Sequence, residues 1–358
     1  MSRSLLPLGC AVIASAAVAG AQVQTGPAPS TIRPTTSLFA GAPMARIASG
    51  DLSMTVALPD AAHGFYRSTR FDWSGMVTEA RLGRTRFYGP WFDGVSPEVH
   101  DFSDTSAGVV VGAPNAGTGP AEEFANRDGE TVPGYNAAPV GGSFIKIGVG
   151  RLRKPDAQPY DHFRVYPIVD GGKWTVQRRA DRIVFRQLLL PDASGYGFDY
   201  EKTLTLTPDG GLILAHRLTN LGSRPIKTQV YTHNFARFDG ADVGAGMRVD
   251  FPSTISGPVS APSLATVDGS ALRYLRALSP GDRVQLPPQP GGIAVPSGPF
   301  RVVSAGGAAI TMQGDTPLVR TAFWSIRRAV AVEPFVPIDV APGATQRWTW
   351  RYRFIPDR

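Results

Sequence analysis

Two residues far apart in the chain carry the chemistry of an acid–base pair, His233 and Glu333. In an extended strand alternate side chains share a face. Gln229, Tyr231, His233, Phe235 and Arg237 therefore point one way, and Thr228, Val230, Thr232, Asn234 and Ala236 the other. The first set places an amide, a phenol, an imidazole and a guanidinium among aromatic rings. That mixture suits the floor of a sugar-binding cleft, where C–H faces stack on rings and hydroxyls take polar partners. A hydrogen-bonded structural histidine fits the same spacing. Glu333 stands among Val330, Val332, Phe335 and Val336. A carboxylate in apolar surroundings is either paired or raised in pKa, and a raised carboxylate is a competent general base near neutral pH. The alternative is a sheet-edge glutamate that faces water, with Pro334 limiting the pairing of its strand.

Other groups could hold a ligand. Arg67, Arg70, Asp72 and Trp73 combine charge with aromatic surface. Arginine can give paired hydrogen bonds to vicinal hydroxyls or to a carboxylate, and tryptophan can stack; an ion pair beside one buried tryptophan is the plainer alternative. Glu123, next to Glu122, is a candidate for the border of a cleft, against the simpler reading of two solvated loop acids. His216, flanked by Leu214 and Leu218, reads as a core or interface histidine. His162 reads as a surface turn residue, and His63 and His100 as loop residues. The five histidines show no i,i+2 or i,i+4 spacing among themselves, so no dedicated transition-metal site is expected. A calcium ion held by loop carboxylates stays open. No nucleophile elbow, phosphate-binding loop or dinucleotide fingerprint occurs.

The elements that must position these groups are strands. The chain has 40 Gly and 32 Pro in 358 residues, which suits many short strands and frequent turns better than helices. Alternation marks strands at 52–58 and 84–88, and strand texture recurs at 143–149, 163–169, 173–176 and 182–185. Tyr200 to Thr207, a Pro-Asp-Gly-Gly turn and Leu212 to Leu218 predict a hairpin. A turn rich in Asn, Gly and Pro then leads to the strand of His233. Residues 330–338 and 346–354 read as closing strands. The stretch from Phe92 to Pro139 predicts a long excursion over one face of the core, and long ordered loops tend to be functional. Ser270 to Ala277 is compatible with a short helix. No repeat or composition break divides the chain, so one large all-β domain is expected at 47–358.

Residues 1–21 read as a secretory signal peptide: Arg3, an apolar run over Leu5–Val18, and the small residues Ala19 and Ala21 before Gln22. A weaker lipoprotein alternative uses Cys10. Residues 22–46 read as a flexible leader. Cys10 is the only cysteine, so a chain cleaved after Ala21 has neither disulfides nor thiolate chemistry. The net charge of +7 is spread over single arginines, not a basic block, which argues against a nucleic-acid partner and leaves mild attraction to anionic glycans or membrane surfaces. A periplasmic or secreted protein follows, with no stable membrane insertion once the signal is removed.

In this order the residues resemble the galactose mutarotase-like (aldose 1-epimerase) superfamily. The resemblance lies in Leu218-Thr-Asn220-Leu-Gly-Ser-Arg-Pro225, then Tyr231-Thr-His233-Asn-Phe235, then Glu333-Pro-Phe-Val-Pro337, the Pro342-Gly343 turn and Tyr352-Arg-Phe354. It covers roughly residues 200–358 and implies a β-supersandwich. It further implies that His233 protonates the ring oxygen of a sugar while Glu333 takes the proton of the anomeric hydroxyl, without metal or cofactor. The chain departs from the family pattern in lacking a Leu-His-Gly-Gly-like segment; the Gly141-Gly142 stretch nearest to it has no histidine. The expected protein binds a carbohydrate, through Arg67, Arg70, Trp73, Tyr231, Phe235, Arg237 and Glu123, and interconverts anomers. A polysaccharide lyase on the same scaffold and a non-catalytic sugar-binding module are the alternatives.

Overall fold

The computed structural model describes residues 38–125, 132–292 and 294–357. The expected signal peptide, and the expected leader up to residue 37, lie outside the described residues. All described residues belong to one compact unit, Thr31–Arg358, and the first strand is Met44–Ser49. Strands dominate, and two sheets form the body.

The larger sheet has ten strands. The Lys173–Arg178 strand stands at one edge, followed by Arg182–Leu189, Phe198–Thr207, Gly211–Asn220, Thr345–Ile355, Ala309–Gly314, Phe300–Val303, Arg248–Asp250, Ala271–Tyr274 and Ala265–Asp268. The expected hairpin is present, with Leu204 opposite Leu214 and Tyr200 opposite Leu218. Residues 271–274 form a strand, not the expected helical turn: they alternate in burial and pair with both neighbours. A tertiary ladder has overridden weak local preference.

The smaller sheet has five strands, ordered Arg283–Pro290, Arg320–Ile326, Ala329–Val340, Ile226–His233 and Ala121–Phe124. The turn after Asn220 thus carries the chain from one sheet to the other. The even-numbered residues Ile226, Val230, Val330, Val332, Val336 and Ile338 are buried in the main core with Leu214, Trp348, Trp350 and Tyr352 of the ten-stranded sheet. Period-two alternation then sends the odd-numbered residues, including His233 and Glu333, to the opposite face. Pro334 lies mid-sheet, opposite Thr321, and Pro287 and Pro288 lie on the edge strand, where a missing N–H costs least.

The Phe92–Pro139 excursion is partly sheet. It contributes Ala121–Phe124 as an edge strand, with Glu123 opposite Tyr231 and Glu122 opposite Thr232. A second buried cluster, with Tyr66, Phe71, Trp73, Trp91, Tyr135 and Tyr160 among its members, is built largely from the first half of the chain. Phe235 joins it, so this cluster backs the odd-numbered face of the smaller sheet.

Candidate active site

One cleft, of about 290 Å³, opens on that face. His233 and Glu333 both line it, with the imidazole Nε2 3.2 Å from the carboxylate Oε1. Their meeting follows from register. Tyr231 stands opposite Phe335 in the antiparallel ladder, and two residues further the same register brings His233 against Glu333. The two groups are therefore neighbours on one floor, not occupants of opposing walls. The Phe235 ring stacks on the imidazole at 3.7 Å between centroids, and Trp324 meets it edge-on at 5.6 Å.

Burial pushes the His233 pKa well below its ordinary 6.5, and the positive charge of Arg70 adds to the effect. The shift favours the neutral ring at rest. Its Nδ1 is buried without a hydrogen-bond partner, a cost that binding and catalytic sites carry more often than structural ones.

Behind the floor lies a charged cluster centred on Glu123. Its carboxylate accepts hydrogen bonds from Arg70 Nε at 2.9 Å, Lys146 Nζ at 3.3 Å and the Tyr231 hydroxyl, and His162 Nδ1 lies 3.3 Å away. Burial alone would raise this carboxyl. Lys146, His162 and Arg70 outweigh it and hold Glu123 well below the usual carboxylate range. Arg70 also donates to the Tyr231 hydroxyl at 3.0 Å and to the Asn115 amide oxygen. Burial and the Glu123 charge keep the Tyr231 phenol protonated.

Of the residues singled out from sequence, His233, Glu333, Arg70, Tyr231 and Phe235 line the cleft. Four others lie elsewhere. Glu123 is fully buried and sits one layer behind, fixing Arg70, Tyr231 and His162. Trp73 is a core residue whose indole N–H donates to the Ser68 carbonyl at 2.8 Å, so it offers no stacking platform. Arg67 donates to the Ala62 carbonyl and borders a separate groove beside His63 and Phe65. Arg237 ties the Pro90 and Gly240 carbonyls together.

His162, expected on the surface, is buried and lines the cleft. Its sequence neighbourhood is a turn, and only the fold shows that the turn closes over Glu123. Arg283, Arg320 and Trp324 also line the cleft. Trp324 shares the cleft-facing side of its strand with Arg320, so alternation could have flagged both had one been anchored. His216 is a core histidine, stacked on Trp348 at 4.6 Å with Nε2 2.8 Å from Glu122. Among the described residues, no group of three or more His, Cys, Asp or Glu could hold a metal ion, and no helix is long and apolar enough to cross a membrane.

No family model matches the sequence, and no curated protein matches it. Solved structures do. The Slr1438 protein from Synechocystis sp. PCC 6803 superposes with a TM-score of 0.50 at 13% identity, over 88% of this chain and 96% of that one. A galactose mutarotase-like protein from Clostridium acetobutylicum gives 0.50 at 11% identity, over 89% and 97%. The GalM/aldose epimerase homologue from C. elegans gives 0.48 at 13% identity, over 88% and 100%. The fold is that of the galactose mutarotase-like β-sandwich proteins. Identity this low speaks to architecture alone, and function must be argued from the site.

Proposed function

We propose that this is an exported carbohydrate-active protein that interconverts the anomers of an aldose, with His233 and Glu333 as the proton-transfer pair. The observation that carries this reading is their 3.2 Å contact on the floor of a shared cleft. The cleft lies at the small end of ligand pockets, which run from roughly 300 to 1,000 Å³, and it suits one or two sugar rings better than a polymer. Phe235, Trp324 and Phe335 supply apolar surface for C–H faces.

The anomeric hydroxyl and the ring oxygen are both bonded to C1, so a donor and an acceptor that lie side by side can reach them along one edge of the ring. Glu333 takes the hydroxyl proton while His233 delivers one to the ring oxygen. The C1–O5 bond breaks and an aldehyde forms. After rotation about C1–C2, the same two groups return the protons in reverse as the ring closes on the other face of the aldehyde. Protons and electrons balance over the cycle, and no co-reactant is consumed.

The neutral resting ring has a kinetic consequence. His233 must be loaded as imidazolium to act as donor, and its pKa is depressed. The rate is expected to rise as pH falls below 6.5, the ordinary histidine value. A rate that climbs with pH through this range would assign His233 to the base role instead.

The direct test follows anomer exchange in freshly dissolved α-glucose, α-galactose and a uronic acid by polarimetry or NMR. Glu333→Gln should lower the rate by about 10²- to 10⁴-fold, the scale of acid–base catalysis, with the melting temperature little changed. An unaltered rate would remove Glu333 from the mechanism.

Arg70, Arg283 and Arg320 around the cleft favour one further reading, a lyase acting on uronate polymers, since arginine grips carboxylates in a paired geometry. Growth of ultraviolet absorbance from unsaturated products would support it. Anomer exchange without such absorbance would reject it.

A further inference from the structure

On its outer surface the ten-stranded sheet gathers arginines that the sequence scatters. The Thr345–Ile355 strand alternates strictly: Trp348, Trp350, Tyr352 and Phe354 are buried, while Arg347, Arg351 and Arg353 are exposed. Register extends the pattern sideways. Arg217 stands directly opposite Arg347. Arg353 faces Thr311, and Thr311 faces Arg301 on its other side. Two strand spacings and one residue pair thus hold Arg301, Arg351 and Arg353 within roughly 12 Å, and Arg347 lies about 14 Å along the strand from Arg351. Farther out, Arg248 is directly opposite Arg273.

Like charges in directly opposed positions destabilise a sheet, and part of this face is neutralised internally. Arg217 lies near Asp199 and Glu201, Arg353 pairs with Asp209, and Arg248 pairs with Asp250. The middle is not. Among the described residues Arg301, Arg347 and Arg351 have no ion pair or side-chain hydrogen bond, and Arg301 Nε is buried without a partner.

The chemistry of the face narrows its partner. None of the large exposed apolar side chains lies on these central strands, so there is no platform on which nucleobases could stack and no apolar wedge to enter a bilayer. A sheet of ten strands twists progressively, so its arginines turn away from any single plane. A flexible chain can follow that turn where a flat membrane cannot. Planar guanidinium groups match carboxylates in paired hydrogen bonds. We propose that the outer face centred on Arg301, Arg347 and Arg351 binds a carboxylated polysaccharide chain, at a surface separate from the cleft.

The experiment measures binding of the whole protein to polygalacturonate, with neutral dextran, phosphatidylglycerol vesicles and single-stranded DNA as comparisons. Polygalacturonate should bind more tightly than all three, and added salt should weaken the binding because the charges are exposed. The Arg301→Ser/Arg347→Ser/Arg351→Ser variant should lose binding on the order of tenfold, the scale of three exposed charge pairs, with its melting temperature retained. Arg351→Glu alone is a second variant at one exposed site and should lose binding in the same direction. Equal binding to dextran, equal or tighter binding to vesicles or DNA, or full binding by both variants would overturn the proposal. Anomer exchange on free sugars reads the other sheet. Exchange that persists while polymer binding is lost in the variants separates the two sites, and absence of exchange altogether leaves the polymer-binding result to stand by itself.

Discussion

Glu122 and Glu123 are consecutive residues of one short strand, both fully buried and both ionised, yet they serve opposite sides of the sheet. Glu122 points inward. It lies 2.7 Å from Lys202 Nζ, 2.8 Å from His216 Nε2 and 3.3 Å from the Thr232 hydroxyl. Lys202 in turn reaches Asp72, to which Tyr200 also donates, so four elements are pinned together between the sheets. Glu123 points outward to Arg70, Lys146, His162 and Tyr231, three of which line the cleft. The difference teaches that one residue of strand parity decides whether the same side chain becomes a tie between sheets or a scaffold for a site. Glu122 belongs to a sealed network, and Glu123 to one in which Arg70, His162 and Tyr231 open onto the cleft.

The sharpest way to break this comparison is to remove the two carboxylates in turn. Glu122→Ala leaves the buried Lys202 with Asp72 as its one remaining carboxylate and His216 with none. Removing one member of a buried ion pair costs about 3–5 kcal/mol, and we expect the largest stability loss here, seen as a fall in denaturation midpoint or as failure to fold. Glu123→Gln is expected to cost less stability, because Arg70 and His162 can turn toward the cleft and the buried Lys146 keeps the Arg70 carbonyl and the Tyr160 hydroxyl as partners. It should cost more function, because those side chains and Tyr231 lose their common anchor. The readouts are the denaturation midpoint and the anomer-exchange rate for both variants. Equal stability losses, or exchange retained in Glu123→Gln, would dissolve the distinction.

This contrast also marks what the sequence could disclose. The closing strand, with arginine and aromatic residues in alternation from Arg347 to Phe354, is legible because its period states both the element and its buried face. The hairpin from Tyr200 to Leu218 is legible for the same reason. The Asn220 turn, His233 and Glu333 were enough to suggest the architecture found. The Ala121–Phe124 strand was not legible: four residues without alternation, set among Gly, Pro and Asn, give no period, and its place comes from pairing with the Ile226–His233 strand. Without that strand the parity of Glu122 and Glu123 has no meaning. His162 was hidden similarly, since a turn residue is buried or exposed by what it packs against. Trp73 was misplaced because an aromatic residue beside arginines has the same composition in a core as in a binding cleft.

The smallest expected effect is the most graded, the dependence of stability on pH. Burial raises the Glu122 carboxyl, but His216 and Lys202 outweigh this and bring its pKa to about 2, from an ordinary 4.5. A carboxyl depressed in the fold stabilises fully above its unfolded pKa, and the contribution disappears as pH falls from 4.5 toward 2. His233 begins earlier. Its folded pKa lies well below 6.5, so between those values the unfolded chain binds the proton that the folded chain refuses, and stability declines as pH falls. One such proton corresponds to a slope of about 1.4 kcal/mol per pH unit. Denaturant titrations from pH 7 downward should therefore show a shallow decline starting near 6.5, the ordinary histidine value, and a steeper one below 4.5, where Glu122 and Glu123 join. His233→Asn should flatten the first segment and leave the second, while Glu122→Ala, if it folds, should leave the first and make the second shallower, with Glu123 still contributing. A first segment unchanged in His233→Asn would mean that the ring is charged in the folded cleft, held as imidazolium against the Glu333 carboxylate beside it, and the cleft would then rest in its proton-loaded state.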